Sequence, residues 1–229
     1  MPRKPRFYLP GVPAHVMQRG HNRGAIFFAE KDYLEYLKIL RKVSSHYQCL
    51  IHAYVLMTNH IHLLVTPLQE KSISLMFQAL GRDYVTYINK TYQRSGTLWE
   101  GRHRGNIIDA EHYFLNCMRY IEFNPVRANM VRSVEDYPWS SYAANGLGDS
   151  NAIITPHTLY LSLSEKNDKN ERLNRYQGLF HSNPTVKQEE FEASILSGTP
   201  LGSKVFLGRV EKQLNCPIGY ISQGRPKIK

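Results

Sequence analysis

CLIHAYVLMTNHIHLLVTP, Cys49 to Pro67, is the stretch on which the fold of this chain turns. Two β-rich runs, CLIHAYVLM and HIHLLVT, are separated by Thr58-Asn59, which reads as a tight hairpin. Side chains alternate along a strand, so His60 and His62 share one face, roughly 7 Å apart, while Ile61 and Leu63 take the other. Each imidazole carries two nitrogens that need partners once removed from water. Two co-facial imidazoles can converge on one divalent ion and leave positions for a third ligand, water and a substrate oxygen. The same spacing also suits two histidines with ordinary hydrogen bonds. His52, on the other arm, is either a partner of the pair or a satisfied core histidine.

Around this hairpin the pattern continues. HVMQRG and AIFF, before it, read as strand, turn and strand, with GHNRG supplying the turn. Residues 30–47 place Tyr33, Leu34, Leu37 and Leu40 on one helical stripe, and residues 72–92 form a second long helix with Ser72 or Ser74 as its cap. TLWEGRHRGNIID, interrupted by Gly101 and Gly105, is a fourth strand region. A third helix, about Ala110 to Phe123, must end before Pro125, because a proline pushes its predecessor out of the α region. Strand–helix–strand–strand–helix–strand is the order of a ferredoxin-like α+β sandwich, an antiparallel sheet with helices on one face and the other face free for a ligand. Residues 1–145 form this domain, 146–154 a Gly/Asn/Ser-rich linker, and 155–229 a small, mostly helical C-terminal module with a basic tail.

The chain carries 29 Lys and Arg against 19 Asp and Glu, a net charge of +10, which favours a polyanionic partner, nucleic acid above all. No apolar run approaches a bilayer span, and the basic start, MPRKPRFYLPG, is followed by no apolar signal region. Cys49, Cys117 and Cys216 form neither a CxxC pair nor a disulfide framework, which fits a reducing cytoplasm.

Tyr120, in CMRYIEFNPVRANMV, lies one helical turn from Asn124. A nucleophile and an oxygen ligand would thus project together, although a packed aromatic satisfies the same spacing. A phenol, with a pKa near 10, is a poor nucleophile unless it loses its proton or meets a strongly activated phosphorus.

HVMQRGHNRGAIFF, MTNHIHLLV, GTLWEGRHRGNIIDAEHYFLNCMRYIEFNPVRANMV and YPWSSY, in this order over residues 7–145, resemble the REP-associated tyrosine transposases, relatives of the single-tyrosine HUH insertion-sequence transposases. The HUH motif, histidine–bulky hydrophobic–histidine, corresponds here to His60-Ile61-His62. The resemblance implies His60, His62 and Asn124 as ligands of Mg²⁺ or Mn²⁺, and Tyr120 as the nucleophile of a metal-dependent single-stranded DNA endonuclease and strand transferase. The implied intermediate is a 5′-phosphotyrosine, the implied partner a REP palindrome (a short DNA hairpin beside a tetranucleotide), and the implied state a monomer or homodimer in the cytoplasm, on the nucleoid.

Arg19, Arg23, Arg102 and Arg104, beside glycine-rich turns, are candidate phosphate contacts, and Phe7, Tyr8 and Trp99 candidate faces for unstacked bases. Arg225, in the terminal SQGRPKIK, lies in a Gly-Arg-Pro core like that of minor-groove hooks, with Gln223 where an arginine is usual; it reads best as a basic tail with sequence-independent phosphate affinity. Two other classes fit these residues: a non-catalytic hairpin-binding protein, and a metal-dependent nuclease using activated water.

Overall fold

The computed structural model describes residues 7–182 and 186–214. Four strands, β1 (Ala14–Arg19), β2 (Cys49–Met57), β3 (His60–Pro67) and β4 (Arg104–Ile107), form one sheet in the order β2-β3-β1-β4 with every neighbouring pair antiparallel. The hairpin is as read, with Met57 opposite His60. Helices α1 (Glu30–His46) and α2 (Ser72–Thr91) lie on one face over Val16, Leu56, Ile61, Leu63 and Val65, the ferredoxin-like α+β arrangement expected.

The other face is not free along its length. Helix α3 (Ala110–Glu122) crosses it, packing Phe114, Cys117, Met118 and Ile121 on Ala53, Val55, Met57 and Leu64. The reason is legible in the strands: β2 and β3 are apolar almost without interruption, as strands covered on both sides must be. A register shift between Ile51 and Ala53 marks a bulge at His52 and turns Ala53, Val55 and Met57 toward α3. His52 itself is a satisfied core residue, with Nδ1 2.7 Å from the Thr155 carbonyl and Nε2 2.8 Å from Thr66 Oγ1.

AIFF is not a strand. Ile26 and Phe27 are buried against α1 and α2, and their N–H groups go to the hairpin turn at the Thr58 carbonyl rather than to a ladder. Tyr8 and Trp99 are core aromatics too, each 6% exposed. Tyr8 packs where a side chain at position 105 would sit, its hydroxyl 2.3 Å from where a Cβ would be, so β4 needs a glycine there.

Asp32 ties α1 to α2. Its carboxylate accepts from the Phe28 and Ala29 N–H groups (2.8 and 2.9 Å) at the start of α1 and from the hydroxyls of Tyr87 on α2 and Tyr92 just past its end (2.9 and 2.8 Å). Asp32→Asn replaces an acceptor by a donor among these groups and should cost about 2 kcal/mol, measurable by chemical denaturation.

After α3 come α4 (Asn124–Arg127), which Pro125 opens in its first turn, and α5 (Tyr142–Asn145). Residues 139–141 and 154–155 then run along the outer edge of β2 and satisfy its unpaired backbone groups. Beyond them, α6 (Thr158–Leu161), α7 (Lys169–His181), α8 (Gln188–Ser197) and α9 (Lys204–Leu214) complete the described chain. Tyr160, Tyr176 and Phe191 pack into the same core as α3. Among the described residues no helix is long and apolar enough to cross a membrane.

Candidate active site

Strand alternation sends His15, Met17 and Arg19 of β1 and His60 and His62 of β3 to the α3 side of the sheet, because Ala14, Val16, Ile61 and Leu63 are held in the α1/α2 core. In register, Met17 faces His62 and Arg19 faces His60. The C-terminal end of α3 brings Tyr120 over this row, its ring centroid 5.9 Å from that of His62 and 5.5 Å from that of His15. The His60 and His62 rings stand 5.1 Å apart and nearly perpendicular. A cavity of about 400 Å³ is lined by His60, His62, Tyr120, Asn124, Arg19 and Arg127, with Gln188, Glu192 and Leu196 of α8 as its outer wall.

The spacing that joins Tyr120 to Asn124 survives the break at Phe123, whose backbone stays in the α region. Asn124 Nδ2 donates to the Tyr120 and Ile121 carbonyls (3.1 and 3.3 Å), satisfying acceptors that a helix end leaves bare. Its Oδ1 accepts from Arg127 at 2.5 Å and keeps a second lone pair. The Arg127 guanidinium also lies 4.4 Å from the centroid of the Tyr120 ring.

Burial dominates the electrostatics. It pushes the Tyr120 phenol up to about 12, against the pull of the neighbouring Arg127 charge. It holds His60 at about 4 and His15 at about 3, with Arg19 and Arg127 adding to the effect on His60 and Arg127 to that on His15. His62 falls well below its usual range from burial, then from His15, His60 and Arg127. The imidazoles are therefore neutral, the form that binds metals. Two neutral nitrogens and an amide oxygen make a fitting donor set for a small divalent ion, with imidazole favouring Mn²⁺ over Mg²⁺.

Of the arginines singled out in the sequence, Arg19 lines the cavity and pairs with Glu100 at 2.7 Å. That hydrogen bond, with the charges of Arg19, Arg104 and Arg23, lowers the Glu100 carboxyl, so three of the four cluster at this end of the sheet. Arg102 is exposed in the preceding loop and does not line the cavity, and Arg225 lies outside the described residues. The sequence reading did not single out His15, Arg127 or the α8 wall. A histidine in the middle of a buried strand was the one available signal, at His15.

A separate group, Asp109, Glu111 and His112, has ligand atoms within 4.8 Å of one another. The Asp109 carboxylate is taken by the backbone N–H and hydroxyl of Ser203 (3.1 and 2.8 Å) ahead of α9 and by His112 Nδ1 (3.3 Å), so it reads as a helix anchor. It sits at the opposite end of α3 from Tyr120, about 12 Å or more along the axis.

Comparison with known proteins agrees with the fold. Residues 10–124, half of the chain, match the family model described as transposase, IS200-like. A Haemophilus influenzae protein described as a REP-associated tyrosine transposase is 26% identical over 123 residues, 48% of this chain and 69% of its own. A solved structure of a REP-associated tyrosine transposase bound to a REP hairpin superposes with a TM-score of 0.56 at 18% identity, over 69% of this chain and 93% of that one. The chain belongs to the family of IS200-like transposases.

Proposed function

We propose that the protein is a metal-dependent single-stranded DNA endonuclease and strand transferase acting at REP-type hairpins, with Tyr120 as its nucleophile. The observation that supports this most is the shared cavity of Tyr120, His60, His62 and Asn124. The phenol gives up its proton to water as its oxygen attacks the scissile phosphorus, a bond to the tyrosine forms, and the bond to the 3′ oxygen breaks. The downstream strand then carries a 5′-phosphotyrosine, and the upstream strand leaves with a 3′ hydroxyl once its oxygen takes a proton. Attack by a 3′ hydroxyl on the same phosphorus reverses the step and joins strands. When bound by His60, His62 and Asn124, a divalent ion supplies polarisation of the phosphate oxygens and stabilises the leaving oxygen.

Arg127 serves the phenol. A guanidinium against the ring favours phenolate over phenol, countering a desolvated environment that does the reverse. Arg19, Arg23, Arg102, Arg104 and Arg225 contact the DNA backbone in this reading, consistent with the +10 charge. The chemistry belongs to residues 1–145, while residues 155–229 contribute DNA contacts and, through α8, one wall of the site.

The test is a hairpin strand with a single-stranded flank, labelled at either end, incubated with protein and Mn²⁺ or Mg²⁺. The 3′ label should migrate with the protein under denaturing conditions and the 5′ label should be released as free DNA, both only with metal. Binding without cleavage would assign a hairpin-binding role, and cleavage without adduct an activated-water nuclease.

A further inference from the structure

We infer that Asn59 and His15 are positioning residues that fix the tautomers of His60 and His62, leaving both Nε2 lone pairs available to one cavity. The inference rests on the metal-dependent reading above and reaches residues outside the ligand set.

Asn59 makes the stronger case. Its Nδ2 donates to the Arg23 carbonyl at 2.9 Å, and its Oδ1 lies 2.6 Å from His60 Nδ1. A carbonyl cannot donate, so the end of the amide facing Arg23 must be the NH₂, and the end facing His60 must be oxygen. An oxygen that only accepts requires a proton on Nδ1. A neutral imidazole has one proton, so His60 Nε2 is bare. The Arg23 carbonyl is aimed by a turn in which Asn22 and Arg23 both adopt positive φ (52° and 58°), an uncommon conformation for non-glycine residues. A strained turn, an amide and an imidazole thus form one chain ending at the cavity.

His15 does the same for His62. Its Nε2 lies 2.8 Å from His62 Nδ1, and the two rings stack with centroids 5.0 Å apart. One proton is shared between these nitrogens. Placed on His62 Nδ1, it leaves His62 Nε2 bare, the arrangement by which ligating histidines are ordinarily held. His15 is fully buried between Ala14 and Val16, and its own Nδ1 has no partner among the described residues. Such an orphan is a net cost that phenylalanine would avoid. The single bond to His62 is what the imidazole provides in return.

Histidine ¹⁵N spectra of the full chain at pH 8, without metal, read the tautomers directly, and Mn²⁺ titration followed by electron paramagnetic resonance reads the consequence. Both site rings should show Nδ1–H and a bare Nε2. In Asn59→Ala the His60 signals, and in His15→Phe the His62 signals, should move to a tautomer mixture, with Mn²⁺ affinity ten- to a hundredfold lower. Asn59→Asp and His15→Gln keep an acceptor and should recover much of the affinity. Thermal melts separate positioning from structure: His15→Phe should melt no lower than the wild type. Unchanged tautomers and affinity in the Asn59→Ala and His15→Phe variants, or affinity lost only in step with melting temperature, would overturn the inference. Failure of the wild type to bind Mn²⁺ would overturn the metal reading alone, because the ring-nitrogen shifts still decide the positioning.

Discussion

Tyr120→Phe should lower formation of the covalent DNA adduct by at least about a thousandfold while changing hairpin affinity by no more than about twofold. The separation is sharp because of how the ring is held. Phe191 stacks on it at 4.9 Å, the His15 and His62 rings meet it edge-on, and the Arg127 guanidinium covers it at 4.4 Å. Phenylalanine keeps all of these ring contacts and loses one oxygen. Arg127 still has the Asn124 Oδ1 to donate to, so no half-buried cation is left without a partner. The variant should therefore fold and melt within about 1 kcal/mol of the wild type. Denaturing gels of the 3′-labelled hairpin strand measure the adduct, and a binding titration on the same DNA measures affinity. An adduct that persists in Tyr120→Phe would remove this residue from the chemistry.

The parts of this site that were legible in sequence are those set by a local period. A two-residue repeat put His60 and His62 on one face, and a four-residue repeat put Tyr120 over Asn124. Long stripes and a proline gave α1, α2 and the end of α3 to within a residue or two. What escaped depends on contacts between distant segments. His15 meets His62 across 47 residues of chain, and Phe191 reaches Tyr120 from α8, whose apolar residues give no sign of which surface they cover. Asn59 looked like ordinary turn chemistry, and only the direction of its amide gives it a role. Helix α7 falls in the segment read as mostly helical, but its bounds were not legible because Tyr176 is its one fully buried residue, too little apolar pattern to read. AIFF failed in the opposite way: apolar composition signals burial, but the destination of its N–H groups decides whether it is a strand.

Glu122 carries the largest expected effect on stability. Two residues on either side of it are Tyr120 and Asn124, yet its carboxyl points away from solvent entirely and accepts from Ser141 Oγ (2.5 Å), Asn145 Nδ2 (2.8 Å) and the Tyr176 hydroxyl (2.6 Å). It thereby joins the end of α3 to α5 and α7. Glu122→Ala opens a cavity and takes the acceptor from three buried donors. Of these, Ser141 Oγ keeps the Tyr54 carbonyl (3.2 Å) and Asn145 Nδ2 the His52 carbonyl (2.9 Å), while the Tyr176 hydroxyl is stranded. This should cost about 4 kcal/mol and lower the melting temperature by about 10 °C. Burial raises the carboxyl to about 7, against the opposing effect of its three donors. A folded pKa above the unfolded one means that the native state holds its proton more tightly. The associated stabilisation is complete below about pH 4.5 and is lost as pH rises to about 7. At about 1.4 kcal/mol per unit, the shift sets a ceiling of about 3 kcal/mol on that loss. Glu122→Gln carries no charge at any pH and should be free of this decline. The difference between its unfolding free energy and that of the wild type should therefore shift in favour of glutamine between pH 5 and 8. A constant difference across that range would mean that the three donors hold the carboxylate ionised throughout, and the pH dependence argued for this anchor would be wrong. The anchor itself would stand or fall on the alanine variant, because α3 can present Tyr120 to the cavity only while its end is fixed.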